Sequence, residues 1–149
     1  MADFRRILVP TDFTETSERA LDWAFSAAER LGSAISVMHA YEIPIVGFPD
    51  GALVATAEIA SRMNDAARTG LERIVSQRAG GKIQIHGILR EGVPWEEIVR
   101  VSDEIDADLI VIGTHGRKGL ARALLGSVAE NVVRTATRPV LTIHGPRDH

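Results

Sequence analysis

Residues 113–127, with the sequence GTHGRKGLARALLGS, carry the residue types in this chain that are best suited to chemistry. They follow a continuous apolar run at 109–112 and contain four glycines and the adjacent cations Arg117 and Lys118. A simple turn needs one or two glycines. A larger number suggests a backbone that approaches something closely, and successive peptide N–H groups form a concavity that binds anions. The segment therefore predicts a phosphate-binding loop before a helix that begins near Ser127.

The glycines of this segment have two interpretations. They permit a wide turn and a close contact between helix and sheet, or they remove the Cβ atoms that would hold a phosphate away, at Gly113, Gly116 and Gly126. The pattern is G-x-x-G, nine residues, then G-S. It is not a Walker loop, because no lysine precedes Ser127. Each N–H bonded to a charged oxygen contributes about 1.5–3 kcal/mol, so a few such bonds would give micromolar binding.

Four polar side chains near this predicted loop have both a structural and a functional interpretation. The Ser127 hydroxyl can cap its helix or bond a phosphate. Asp12 can cap the first helix with Glu15 as its reciprocal partner, or it can accept from a base or hold a metal through water. The His115 ring can donate to a phosphate, although no carboxylate is placed to orient it as a general base. Arg117 can lie in solvent or supply counter-charge to phosphates.

Strand and helix patterns alternate along the whole chain and predict how these residues are positioned. Short apolar runs rich in β-branched residues predict strands at 6–9, 34–40, 83–89, 109–112 and 140–143. Four stripes at helical spacing lie between them; the first ends at Gly32, and the third has Pro94 in its first turn. This order predicts a parallel α/β sheet with helices on both faces. Ligands bind such sheets where the strand order reverses, which would bring 10–12 and 113–127 together.

The composition limits the classes of function and of ligand site that this chain can have. A chain of 149 residues predicts one domain over residues 1–149, and 45% hydrophobic with 25% charged residues is typical of a globular protein. A net charge of -3 with scattered cations argues against a nucleic-acid partner. The absence of cysteine excludes disulfides and thiolate metal sites, and no histidine pair has metal-ligand spacing, so His39 and His86 are interpreted as structural. No apolar run is long enough to span a membrane, and we expect a cytoplasmic location.

Several blocks of the sequence resemble the universal stress protein family, in its ATP-binding branch. That branch is characterised by G-x-x-G-x9-G-[ST], which the segment from Gly113 fits without adjustment. Further similar blocks are ILVPTD from Ile7, VMHA from Val37, GVP from Gly92 and ADLIVIG from Ala107. The resemblance implies an open five-stranded parallel sheet of order 3-2-1-4-5 with helices on both faces. This fold is Rossmann-like, of the adenine nucleotide alpha hydrolase type.

The resemblance also implies a ligand, ATP with Mg²⁺, and its contacts. The ends of the first two strands would meet adenine, and the glycine segment would meet the ribose and phosphates. The implied binding residues are Pro10, Thr11, Asp12, Ala40, Gly113, Thr114, His115, Gly116, Arg117, Gly126, Ser127 and Val128. Ala40 replaces the commoner Val of the family, which shortens the apolar wall beside the base.

Three functions follow, of which the first two belong to different classes. The favoured one is a homodimeric ATP-binding module whose surface or partner preference changes with nucleotide state. The alternative is a weak ATPase or phosphotransferase that uses Ser127, Thr114 or His115, since phosphoryl transfer depends mainly on positioning and charge. A partner-binding role independent of ATP is the weakest of the three.

The last predicted strand, with Pro139 near its start and His144 at its end, is apolar and suited to a sheet edge. We expect it to pair with its own copy, as the family's dimer does.

Overall fold

A computed structural model of the chain describes residues 3–44, 47, 49, 56–115 and 125–145. In this part of the chain the strands are β1 (Arg6–Pro10), β2 (Ala34–Tyr41), β3 (Ile85–Glu91), β4 (Leu109–Gly113) and β5 (Val140–Ile143). The helices are α1 (Glu15–Leu31), α2 (Thr56–Arg78), α3 (Pro94–Glu104) and α4 (Ser127–Thr135). The strands form one parallel sheet in the order β3-β2-β1-β4-β5. The predicted fold class and strand order are therefore confirmed.

The sheet carries an apolar core on each face. Ile7 and Val9 of β1 face α1 and α2, whereas Leu8 between them faces α3 and α4. All three side chains are fully buried, which explains why β1 reads as a continuous apolar run instead of an alternating one. Burial of one such side chain contributes about 1.5–3 kcal/mol. None of the described helices combines the length and the hydropathy that a bilayer crossing requires.

Two predicted helix boundaries are confirmed and one is wrong. Gly32 ends α1 in the left-handed conformation, with φ of 71°, and Pro94 lies in the first turn of α3. The residue that caps α1, however, is Thr14, whose hydroxyl accepts from the Ser17 amide. Asp12 is not the cap, because Phe13 adopts a φ of 65° and turns the chain before the helix begins. The Asp12 carboxylate instead accepts from the Thr14 amide at 3.1 Å.

The third strand differs from its prediction by two residues at each end. Residues 83–89 were expected, whereas β3 begins at Ile85, opposite Ile35, and ends at Glu91. Ile83 packs against the α1 side of the core but does not pair with a neighbouring strand. An apolar residue indicates burial and does not by itself indicate strand hydrogen bonding, so the prediction placed the strand too early. Arg90 is paired despite its charge, since β3 lies at the edge of the sheet, where a polar side chain can reach solvent.

Candidate functional site

The strand order reverses between β1 and β4, which lie side by side in parallel. The chain leaves β1 towards β2 on one side and leaves β4 towards β5 on the other. A crevice forms at this point in α/β sheets, beyond the carboxyl ends of the two strands. Residues 11–14 after β1 and residues 114–115 after β4 therefore lie at the carboxyl end of the sheet, and Thr114 is bonded there to Gly126 at the start of α4.

The chain after β1 is held by its own hydrogen bonds. The Thr11 amide donates to the Met38 carbonyl at 2.8 Å, which extends the pairing of β1 with β2 by one residue. The Thr11 hydroxyl is buried, accepts from the Phe13 amide at 3.1 Å and lies 3.1 Å from the Ser17 hydroxyl. The side chains of Thr11 and Asp12 thus stabilise a turn, and the buried Pro10 precedes it.

Ala40 of β2 lies next to the point at which β1 ends. The Met38 carbonyl faces β1, and peptide groups two residues apart in a strand face the same side, so those of Ala40 also face the β1 side. The ladder does not continue to Ala40, because the Thr11 carbonyl accepts instead from Nδ1 of His39 at 2.7 Å. The peptide N–H and C=O of Ala40 therefore face the β1 side beyond the end of the ladder, without a strand partner there among the described residues.

The glycine that ends β4 serves the packing of a helix. A Cβ atom at Gly113 would lie 2.9 Å from Cγ2 of Thr16 and 3.2 Å from the Thr16 carbonyl oxygen. The first distance is shorter than real Cβ contacts, and the second would require the backbone of α1 to shift by a few tenths of an ångström. Of the two interpretations of this glycine, the structure supports the close contact between helix and sheet.

Thr114 is a junction between β5 and α4. Its amide donates to the Ile143 carbonyl at 2.9 Å, and its carbonyl accepts from the Gly126 amide at 2.6 Å. Its hydroxyl is 3.5 Å from Nδ1 of His144, and the residue is 1% exposed. The N–H of Gly126 is therefore used within the protein, and the bond brings His115 next to the first turn of α4.

The first turn of α4 presents peptide N–H groups that have no acceptor within the helix. Gly126 is the N-cap residue, so the Ser127 hydroxyl does not occupy the capping position that one interpretation gave it. The first intrahelical acceptor is the Gly126 carbonyl, which accepts from Glu130 at 2.9 Å. The amides of Ser127, Val128 and Ala129 precede that bond and have no acceptor within the helix. Together with the helix dipole, they form an end that favours negative charge.

His115 supplies a second polar group at this place. Its Nδ1 atom is buried and has no hydrogen-bond partner among the described residues. A buried nitrogen without a partner costs about 1–3 kcal/mol, so a ligand that hydrogen-bonds this atom would recover that energy. The chemistry of these donors fits an anionic group. Gly116 and Arg117, which the sequence also predicts for the site, lie outside the described residues.

Apolar side chains surround the same end of the sheet. Ala40, Trp95, Leu125 and Val128 are partly buried and pack against the core on the α3 and α4 face. Trp95 lies in the first turn of α3, and Leu125 lies just before α4. Periodicity indicates only that Trp95 packs on a helix face. Its place near the crevice depends on where α3 begins after the edge strand, which sequence spacing does not specify.

Comparison with known proteins supports an assignment for the whole chain. The model of the universal stress protein family matches residues 3–144. The universal stress protein MJ0531 of Methanocaldococcus jannaschii is 33% identical over 146 residues, which cover 97% of this chain and 84% of that protein. The solved structure of MJ0577 from the same organism is 28% identical with a TM-score of 0.85, covering 98% of this chain and 99% of that one.

Two further solved structures contain nucleotides. A universal stress protein in complex with cAMP is 29% identical, with a TM-score of 0.62, and the match covers 97% of this chain and 99% of that chain. A universal stress protein of Archaeoglobus fulgidus in complex with dAMP is 26% identical with a TM-score of 0.58, covering 96% and 99%. The family match, the identity and the shared sheet together show that this chain belongs to the universal stress protein family.

Proposed function

We propose that this protein binds an adenine nucleotide in the crevice between β1 and β4, with ATP and Mg²⁺ as the preferred ligand. It acts as a homodimeric regulatory module in the stress response, and its surface changes with nucleotide state. One observation carries the proposal: the first amides of α4 have no acceptor within the helix, and His115, whose buried Nδ1 has no partner among the described residues, follows Thr114, which is bonded to the start of that helix. A polyanion that can also fill an apolar rim is the ligand class that fits both.

The phosphates would be held by the amides of Ser127, Val128 and Ala129 and by the His115 ring. Each bond from a peptide N–H to a charged oxygen contributes about 1.5–3 kcal/mol. The dipole of α4 adds a favourable field at the same place. Gly116 and Arg117 would complete the cradle, the glycine by allowing close approach and the arginine by counter-charge.

The base would be read by the peptide groups of Ala40. An N–H and a C=O that point the same way match the edge of adenine, on which N1 accepts and the N6 amino group donates. Pro10, Thr11 and Asp12 would line the other side. The two related structures in complex with cAMP and dAMP support an adenine nucleotide as the ligand class.

The ion would enter with the nucleotide. Among the described residues, no group of three or more His, Asp or Glu side chains could hold a metal. Magnesium binds in such sites through phosphate oxygens and waters, with one or two carboxylates at most. We therefore expect Mg²⁺ to strengthen ATP binding and to leave the binding of cAMP nearly unchanged.

Two features support a homodimer through β5. This strand is an edge of the sheet, so its outward peptide groups have no neighbouring strand. Trp23 is 43% exposed and lies two helical turns after Thr16, on the flank of α1 that approaches β4 and Gly145. A second copy that pairs along the edge would cover both. Sedimentation of a monomer at micromolar concentration would contradict this arrangement.

Phosphoryl transfer is the competing function. Thr114 is a poor nucleophile for it, because its hydroxyl is buried and lies against His144 and its peptide groups join β5 to α4. Ser127 is exposed, and the buried Nδ1 of His115 has no partner among the described residues, so these two residues are the candidates. A single-turnover assay with labelled ATP distinguishes the functions. Turnover above background that is lost in Ser127→Ala, with binding retained, would favour the enzyme.

The direct test of binding is calorimetry of the purified protein with ATP, ADP, AMP and cAMP, each with and without Mg²⁺. We expect micromolar affinity for ATP with Mg²⁺. Native mass spectrometry of the same preparation should show a nucleotide that co-purifies. The proposal fails if no adenine nucleotide produces heat while circular dichroism shows that the protein is folded.

A further inference from the structure

The turn after β1 contains a residue in an uncommon conformation. Phe13 has a φ of 65°, in the left-handed region that residues other than glycine rarely adopt. Such a conformation persists only where the surroundings enforce it, and it often marks a functional position. Here the strained residue directly follows Asp12, at the mouth of the crevice.

Side chains from two neighbouring elements hold this turn in place. The ring of His39 on β2 lies 4.4 Å from the Phe13 ring, centroid to centroid, at an interplanar angle of 40°. Its Nδ1 donates to the Thr11 carbonyl at 2.7 Å, because a carbonyl oxygen can only accept. On the other side of His39, the Tyr41 ring is stacked at 6.2 Å. His39 therefore makes two of the contacts that hold the turn, a hydrogen bond to Thr11 and a ring contact with Phe13.

Helix α2 provides the slot into which Phe13 fits. A Cβ atom at Gly70 would lie 2.9 Å from both Cε1 and Cζ of the Phe13 ring. Glycine is otherwise unfavourable in the middle of a helix, and Gly70 lies well inside α2. Its position is explained by the space that the Phe13 ring needs.

The direction of this turn determines whether the peptide N–H and C=O of Ala40 are used in pairing with β1. If the chain continued straight beyond Thr11, β1 would go on pairing with β2 and would occupy the peptide groups of Ala40. The bond from His39 takes the Thr11 carbonyl out of that ladder, and Phe13 carries the chain towards α2. The peptide groups of Ala40 therefore have no strand partner on the β1 side among the described residues.

We propose that His39 and Phe13 are positioning residues for nucleotide binding: they keep the turn at residues 11–14 out of the backbone ladder between β1 and β2, so that the base site at Ala40 is preformed. This inference rests on the proposed function. It assigns a binding role to a histidine outside the glycine segment and makes Gly70, on a helix that takes no part in the proposed contacts, a determinant of affinity.

Three substitutions separate the hydrogen bond from packing. His39→Phe keeps an aromatic ring and removes the donor, and we expect it to weaken ATP binding about tenfold. His39→Asn keeps an N–H near the position of Nδ1 and should restore affinity to within about threefold of the wild type. Tyr41→Phe is the matched control: it removes the Tyr41 hydroxyl, which accepts from Asn64 at 2.8 Å, and should leave affinity within about twofold.

A fourth substitution acts from a distance. Gly70→Ala should press the Phe13 ring out of its slot and weaken ATP binding about fivefold, because overpacked side chains force the backbone to shift. The amide resonances of residues 11–14 should move in the nucleotide-free protein, whereas those of β5 should not.

Urea unfolding of each variant shows whether the loss of affinity follows a general loss of stability. The Nδ1 proton of His39 should be visible in ring ¹H–¹⁵N spectra without nucleotide.

The outcomes are distinguishable. A wild-type protein that binds no adenine nucleotide overturns the proposed function, and this inference with it. A wild type that binds while His39→Phe binds equally well overturns this inference alone, as does a His39→Asn variant that is as weak as His39→Phe. Should His39→Phe fail to fold, Gly70→Ala decides, and an unchanged affinity with unmoved resonances at 11–14 counts against the inference.

Discussion

The Gly126 amide donates to the Thr114 carbonyl at 2.6 Å, although the two residues lie at opposite ends of the segment 115–125. Since the Thr114 amide donates in turn to the Ile143 carbonyl, consecutive backbone bonds join β5, the end of β4 and the start of α4. The start of α4 is thereby fixed to the sheet. The donors that follow Gly126 are held in place before any ligand arrives, so little ordering is required on binding.

Replacement of Ser127 by proline tests the role of these donors. Proline has no N–H, fits the first position of a helix, and requires an extended residue before it. Gly126 has φ of -61° and ψ of 158°, which meets that requirement. Ser127→Pro should therefore leave the unfolding free energy nearly unchanged and weaken ATP binding about tenfold or more, through the loss of one charged hydrogen bond. Calorimetry and urea unfolding measure the two effects.

Ser127→Ala is the control for that experiment, because it removes the hydroxyl and keeps the peptide N–H. We expect its affinity to fall by no more than about threefold. Equal losses in the alanine and proline variants would mean that the hydroxyl, and not the peptide group, is the contact.

Gly113→Ala should destabilise the fold. The new Cβ would meet both the side chain and the backbone of Thr16. A forced shift of a packed helix costs about 1–3 kcal/mol, which urea unfolding would detect as a lower midpoint. Thr16→Ala in the same protein should recover only part of the loss, because the contact with the Thr16 carbonyl oxygen at 3.2 Å persists. Full recovery would show that the backbone contact is unimportant.

The ion pair between Arg138 and Asp106 should make stability depend on pH. The hydrogen bond from Arg138, at 2.6 Å, and the charge of the same guanidinium hold the pKa of Asp106 below its ordinary value. A carboxyl whose pKa is lower in the folded state stabilises the fold above the pKa of the unfolded state, about 3.9. That contribution is lost as the pH falls through the folded pKa.

Asp106→Asn should therefore lower the urea midpoint at neutral pH and have progressively less effect below about pH 4. The difference from wild type should be small and should shrink with added salt, because Asp106 is exposed to solvent. A difference that persists unchanged at acid pH would mean that the charge of Asp106 does not account for it.

Thr142→Pro tests the proposed dimer edge. The carbonyls of Pro139 and Ile143 accept from Ile110 and Thr114, so these odd-numbered residues of the last segment face β4. Thr142 lies between them and directs its peptide N–H outward. Proline there removes an outward donor without breaking a bond to β4, and sedimentation should show a monomer. Thr142→Val keeps the N–H and should remain dimeric at the same concentration. A dimeric proline variant would place the interface elsewhere.

The sequence contains enough information to predict the architecture of this protein. Continuous apolar runs at β1 and β4 indicate strands buried on both faces, and their alternation with helical stripes leads to a parallel sheet with a reversal point. Gly32 and Pro94 mark helix boundaries because each is tied to one backbone conformation, left-handed for the glycine and a fixed φ for the proline. These signals depend on the residue itself, so they hold in the folded chain.

Features that depend on contacts between distant residues were not predictable in this way. No local pattern indicates that Phe13 adopts a positive φ, because its cause is the slot at Gly70 on another helix. Because of this turn, the N-cap residue of α1 is Thr14 and not Asp12. The bond from His39 to Thr11 depends on the register of β1 and β2, so the sequence indicates a structural histidine without indicating its partner.

The peptide groups of Ala40 that face the β1 side bear on how this position can evolve. Every amino acid has the same main-chain atoms. A substitution at position 40 therefore changes the apolar side chain beside the base and keeps the peptide N–H and C=O. Only proline would delete the donor. If the proposed contacts are correct, the identity of residue 40 is therefore a poor guide to whether the polar contacts with the base are retained.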